Sequence, residues 1–204
     1  MIKEMQGSGD FATATLSTKG MISDAIGFDG HYHVLCHDKD GNLKWEEHFD
    51  NQVVQAGKIL AMNTLLYTAS GYTLVGPYLG LVVGTGNTFS PTDTMASHAG
   101  WTEFSAYTVS AVAQRGTAVF STATGNSVTT PGSNIVYSNA NSITYTITGS
   151  GGTIGGCFLV TGTGASNSLG NTGGTLYSAG AFGTAKTTTA GDTVSVTYST
   201  TATS

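Results

Sequence analysis

The densest group of side chains able to do chemistry is His31, His33, Cys36 and His37. Imidazole nitrogens and thiolates are the ligands zinc prefers. Residues two apart on a strand share a face, so His31 and His33 are close enough to share an ion. Cys36 points away from His33, and bringing His37 in needs a bend. The sequence has no second Cys/His pair at zinc-finger spacing. The group is read as a polar strand face with a buried cysteine behind it, and no metal ligand is assigned.

The run Asp38-Lys39-Asp40-Gly41-Asn42 is similar to the start of a calcium loop. An EF-hand loop needs glycine at its sixth place and a bidentate glutamate at its twelfth. Here glycine comes fourth and Phe49 stands twelfth, so a hairpin turn is the better reading. Zinc and calcium are both expected to be dispensable. Glu46, Glu47 and Asp50 suggest a glycosidase pair, but adjacent strand residues face opposite sides and cannot flank one bond. They are read as solvated edge charges that discourage edge-to-edge aggregation. No Gly-x-Ser-x-Gly elbow has a strand–turn–helix setting. Gly84-Thr85-Gly86 and Gly149-Ser150-Gly151-Gly152 lack a P-loop lysine and are read as turns.

Asp93, His98 and Glu103 are a possible polar site in a region poor in charge. The simpler expectation is an ordered loop anchored by Trp101, with Thr92 or Asp93 capping a turn. Tyr78, Trp101, Tyr107 and Tyr177 offer material for a glycan-stacking platform, although core and interface packing accounts for them more simply. No catalytic, cofactor-binding or metal-binding residue is assigned.

The elements that must position these groups are mainly strands. His31–His37 and Leu43–Phe49 flank the Asp-Gly turn, and together the span 31–50 is predicted to form a hairpin. Val54–Leu66 is the single predicted helix, amphipathic through Val54, Ile59, Met62, Leu65 and Leu66. Gly57 weakens its first turn, and Ser70-Gly71 stops it. It is expected to plug an open end or face of a sandwich. Pro77–Val83, Gly116–Ser121, Ser142–Thr148, Gly156–Thr161, Leu176–Phe182 and Thr193–Ser199 follow as strands, separated by Gly, Asn and Ser clusters. The fold class is mainly β: an antiparallel sandwich or jelly roll with one amphipathic helix. Residues 1–29 are expected to form an extended N-terminal arm, with a short strand near Ala12–Leu16. Residues 30–204 form the β-sandwich domain.

Composition limits function. The chain has 204 residues, 39% hydrophobic and 9% charged, against roughly 25% charged in an ordinary domain. Nine acidic residues and five lysines lie in the first 58 residues, and only Asp93, Glu103, Arg115, Lys186 and Asp192 follow. A net charge of −5 and the lack of a basic run argue against nucleic-acid binding. A neutral hydroxyl- and amide-rich surface can lie against another protein without the cost of burying many charges. No apolar run reaches the ~20 residues of a membrane span, and the first residues do not form a signal-peptide pattern. Synthesis in a cytosol is therefore expected. Cys36 and Cys157 allow one disulfide but no framework, and both are expected to stay reduced.

Three segments carry a resemblance: Lys44–Asn51 (KWEEHFDN), Pro91–Glu103 (PTDTMASHAGWTE) and Ala190–Tyr198 (AGDTVSVTY), with Gly155–Val160 and Gly174–Ala179 between the last two. As a set, from about Tyr32 to Tyr198, they resemble small structural proteins of tailed-bacteriophage virions. The resemblance implies a non-enzymatic role on the particle, after synthesis in the bacterial host cytoplasm, and no catalytic residues. The first expectation is a capsid-decorating or cementing protein, a homo-oligomer that binds the major capsid protein. The alternatives are a neck, collar or tail adaptor or fibre-attachment protein, and a glycan-binding module on the particle. The first 30 residues lie outside the resemblance and would suit an arm docking on a neighbouring subunit.

Overall fold

The computed structural model describes residues 27–66, 73–120, 124–125, 135–138 and 142–203. The expected arm therefore lies almost wholly outside the described residues, as do the short strand near Ala12–Leu16 and the Ser70-Gly71 stop. Residues 27–29, assigned from sequence to the arm, instead belong to the first strand.

The protein is mainly β, with twelve strands and one helix among the described residues. In chain order they are β1 (Gly27–His37), β2 (Leu43–Val53), α1 (Gln55–Leu66), β3 (Tyr78–Val83), β4 (Glu103–Phe104), β5 (Tyr107–Thr108), β6 (Gly116–Thr117), β7 (Thr124–Gly125), β8 (Ile135–Ser138), β9 (Ile143–Ile147), β10 (Gly152–Thr161), β11 (Thr175–Thr188) and β12 (Thr193–Thr203). All pairings are antiparallel, in the order β4-β3-β10-β11-β2-β1-β12-β8-β7. β2 and β11 meet through only two residue pairs, Val53–Ser178 and Gln52–Ala179. At the other side Ser105 and Ala106 carry the chain from β4, on β3, to β5, on β9. The two halves thus face each other as in a sandwich, nearly closed into a barrel.

The alternation seen in the sequence builds the space between them. Val194, Val196 and Tyr198 of β12 and Ile143, Tyr145 and Ile147 of β9 turn inward to meet Leu79 and Leu81 of β3 and Cys157 and Leu159 of β10. Removing each such side chain from water contributes about 1.5–3 kcal/mol. β10 is buried on both faces, because Phe158 and Val160 point outward into a second cluster with Val54, Met95 and Trp101. That second layer explains why β3 and β10 read as continuous apolar runs rather than alternating ones. Cys36 and Cys157 are buried and free.

The helix departs from expectation. Ile59 is 52% and Met62 37% exposed, so the predicted apolar face is turned outward in its middle. The buried side is Gly57, with Val54 just before the helix, which begins at Gln55 rather than at Val54; both sit on the outer surface of β11. Gly57 is there for close approach, since a methyl group at its Cα would collide with the Tyr177 carbonyl. A helix seated through a glycine presents its neighbouring stripe to solvent. Among the described residues, no helix is long and apolar enough to cross a membrane.

Candidate functional site

The β1–β2 hairpin owes its turn to Gly41, at φ +86°, and to Asp38, whose Oδ1 accepts from the backbone N–H of Asp40 and Asn42. A bulge between Cys36 and His37 then shifts the register, so that His33 stands opposite His48 and His31 opposite Asp50. Even-numbered residues of β2 and odd-numbered residues of β1 share the outer face. The result is an exposed polar ladder of His31, His33, Glu46, His48 and Asp50.

Its contacts converge. His33 Nε2 donates to Glu46 Oε1 at 2.7 Å and His48 Nε2 donates to the same oxygen at 3.2 Å. The two rings stack at 4.1 Å, with 8° between planes. His48 Nδ1 lies 3.4 Å from His31 Nε2, and His31 Nδ1 lies 2.9 Å from Asp50 Oδ1. The bonds from His33, and then from His48, hold the Glu46 carboxyl below the usual carboxylate range. Of the sequence candidates, His31 and His33 do share a face, while Cys36 lies fully buried behind it. Burial, the largest influence, raises the Cys36 thiol to about 11, so it offers no thiolate near neutral pH. Glu46 and Glu47 point to opposite sides as expected. The edge reading fails for Glu46, Glu47 and Asp50 alike, because β2 lies between β1 and β11; Glu46 and Asp50 are exposed as expected, whereas Glu47 pairs with Lys186 at 3.0 Å and accepts from the Gly183 N–H.

The second constellation is internal. Arg115, only 1% exposed, makes a two-point pair with Glu103 at 2.8 Å through Nε and Nη2. It also donates to the carbonyls of Ser166 and Asn171 and lies over the Phe158 ring. Glu103 accepts from the Gly170 N–H, so the pair ties β4, the segment before β6 and the loop at 166–171 together. Asp93 and His98 do not join Glu103 in a polar site. Asp93 Oδ2 instead accepts from Trp101 Nε1 and the Ser90 N–H, and His98 stacks on Trp101 at 3.9 Å. The anchored-loop expectation for Trp101 therefore matches what is seen, with Asp93 bracing the Ser90–Asp93 turn.

A cavity of about 260 Å³ opens beside this loop, lined by His98, Trp101, Glu103 and Arg115 among others. Its two charged groups are already bonded to each other. A second, also about 260 Å³, is lined by Gly84–Asn87 and Ala181–Ala185 and carries no titratable side chain. The glycan platform is not assembled: Trp101 and Tyr107 are 4% and 1% exposed, packed inside. Sequence reasoning missed Glu46 and His48 as partners of His33 and gave no hint of the Arg115 pair. Comparison with protein-family models, with curated proteins and with solved structures finds no match to this chain.

Proposed function

We propose that this chain is a non-enzymatic structural protein of a tailed-phage particle, one that decorates or cements the capsid as a homo-oligomer. The resemblance of the Lys44–Asn51, Pro91–Glu103 and Ala190–Tyr198 segments supplies the virion context. The observation that carries the reading is the fate of the charges. Of the five after Leu60, Asp93, Arg115 and Asp192 are at most 8% exposed, the Glu103 side chain is 10% exposed, and Lys186 is paired with Glu47. The surface contributed by the described residues after Leu60 is therefore almost free of unpaired charge. Like surfaces with no charge have little to hold them apart, and they lose little on being covered. Met62, Val112 and Val119 add apolar area to that surface, and exposed Ile59 lies next to Met62 on α1.

The test is twofold. Light scattering of the purified chain should give an oligomer that persists in 1 M salt, where the Debye length is about 3 Å. Particles should carry the protein at capsid positions by cryo-electron microscopy. A monomer absent from purified particles overturns the reading, and density confined to the neck or tail moves it there.

A further inference from the structure

We propose that the outer face of the β1–β2 hairpin binds one divalent late-transition-metal ion, of the zinc class, through His33 Nε2, His48 Nε2 and a Glu46 carboxylate oxygen. The three ligand atoms lie within 4.8 Å of one another. Two imidazole nitrogens already aim at one oxygen, at 2.7 and 3.2 Å. In a tetrahedral zinc site with bonds of about 2.0–2.1 Å, ligand atoms stand about 3.3 Å apart. Small opening movements of exposed side chains are enough to admit the ion, with the two rings fanning out of their stack. Two histidines and a carboxylate leave a fourth position for water or for a ligand from a partner. Imidazole and carboxylate together suit zinc better than magnesium or calcium, which take oxygen ligands.

The surroundings can support the tautomer that ligation by His48 requires. If His48 ligates through Nε2, its Nδ1–H donates to His31 Nε2, and His31 Nδ1–H donates to Asp50 Oδ1. This is the outer arrangement that orients metal-bound histidines and raises their basicity. His31 and Asp50 are therefore positioning residues. Ligation needs unprotonated Nε2 atoms, so binding weakens on acidification. The side chains are on the surface, and the core is complete without the ion. Chelation should leave the fold intact; the proposal departs from the sequence reading, which assigned no metal ligand on this face. The proposal is independent of any role on a virus particle.

The experiment is calorimetric titration of the full chain with zinc chloride at neutral pH, repeated with cobalt(II) and its visible absorption as reporter. One equivalent should bind. His33→Ala and His48→Ala should abolish binding, and Glu46→Gln should weaken it. His31→Ala or Asp50→Ala should weaken it about 10–100-fold. Asp40→Asn, in the hairpin turn, should leave it unchanged. Each variant's thermal unfolding verifies that it is folded. Absence of saturable binding by folded wild-type protein, or binding undiminished in folded His48→Ala and Glu46→Gln, overturns the proposal.

Discussion

The outer face of the hairpin and the Glu103–Arg115 knot use the same kinds of residue for opposite ends. On the hairpin, His31, His33, Glu46, His48 and Asp50 lie on a solvent-facing surface, set by cross-strand register and bonded only to one another. At the knot, one carboxylate and one guanidinium are sealed between three chain segments, with the Ser166 and Asn171 carbonyls taking two further guanidinium donors. Exposed pairs contribute about 0–1 kcal/mol and are free to exchange their partners for an ion. A buried pair is weak evidence for net stability, yet breaking it leaves an uncompensated charge in a low dielectric. Position, more than composition, decides which charged residues are structural and which are available.

The largest effect should therefore follow from cutting the knot. Glu103→Ala strands the buried Arg115 and should cost about 3–5 kcal/mol, read as a drop in the urea midpoint. The double change Glu103→Leu with Arg115→Met should recover part of that loss, because the isolated charge is gone. If Glu103→Ala costs no more than a surface substitution, the two regions do not differ in the way described.

The Asp192 turn should come next. Burial alone would raise this carboxyl, but bonds from Lys44 and from the Thr189 backbone and hydroxyl outweigh it, and the group lies below its ordinary value. A carboxyl depressed in the folded state adds stability that is fully present above its unfolded value, near about 3.9, and is lost as pH falls through the folded value. Asp192→Ala should cost about 1–3 kcal/mol at neutral pH. It should also flatten the acid limb of a stability–pH curve. An unchanged acid limb in the variant would assign that limb to other carboxyls.

Gly57→Ala separates propensity from packing. In a free helix the change would gain up to about 1 kcal/mol. Here the added methyl meets the Tyr177 carbonyl, so a net loss of about 1–3 kcal/mol is expected from overpacking. A gain in melting temperature would show that α1 can lift from β11 without cost.

The fold class was legible because most of its strands alternate, as in β9 and β12, and the hairpin because Asp-Gly admits few other turns. The helix face was misread: helical spacing identifies which residues share a stripe, but Gly57 chooses which stripe docks. The polar ladder was half legible. His31 and His33 share a face whatever the partner strand does. Their partners depend on the bulge between Cys36 and His37. Continuing the His37–Leu43 register without it would set His33 opposite Glu47 rather than His48, and would turn Glu46 inward. No residue pattern announced that slip. Nor could sequence spacing show that Arg115, the one charged residue between Glu103 and Lys186, meets Glu103 inside the molecule, because that contact depends on how β4 and the 166–171 loop come together.

The smallest effect on folding should come from the outward stripe of α1, and it bears most directly on assembly. Ile59→Lys with Met62→Lys replaces two side chains that the isolated chain leaves exposed, so stability should stay within about 0.5 kcal/mol of wild type. If the neutral surface is covered by another copy or by a capsid protein, two added charges must be desolvated there, and association should fall sharply. Glu46→Gln on the hairpin face should leave assembly as it was. The comparison between a charged, exposed hairpin and a neutral body then becomes a measurement: light scattering on both variants, side by side with their unfolding curves. Loss of the oligomer in the lysine variant alone, with both variants equally stable, supports the body as the assembly surface. Loss in Glu46→Gln alone would place the contact on the hairpin instead.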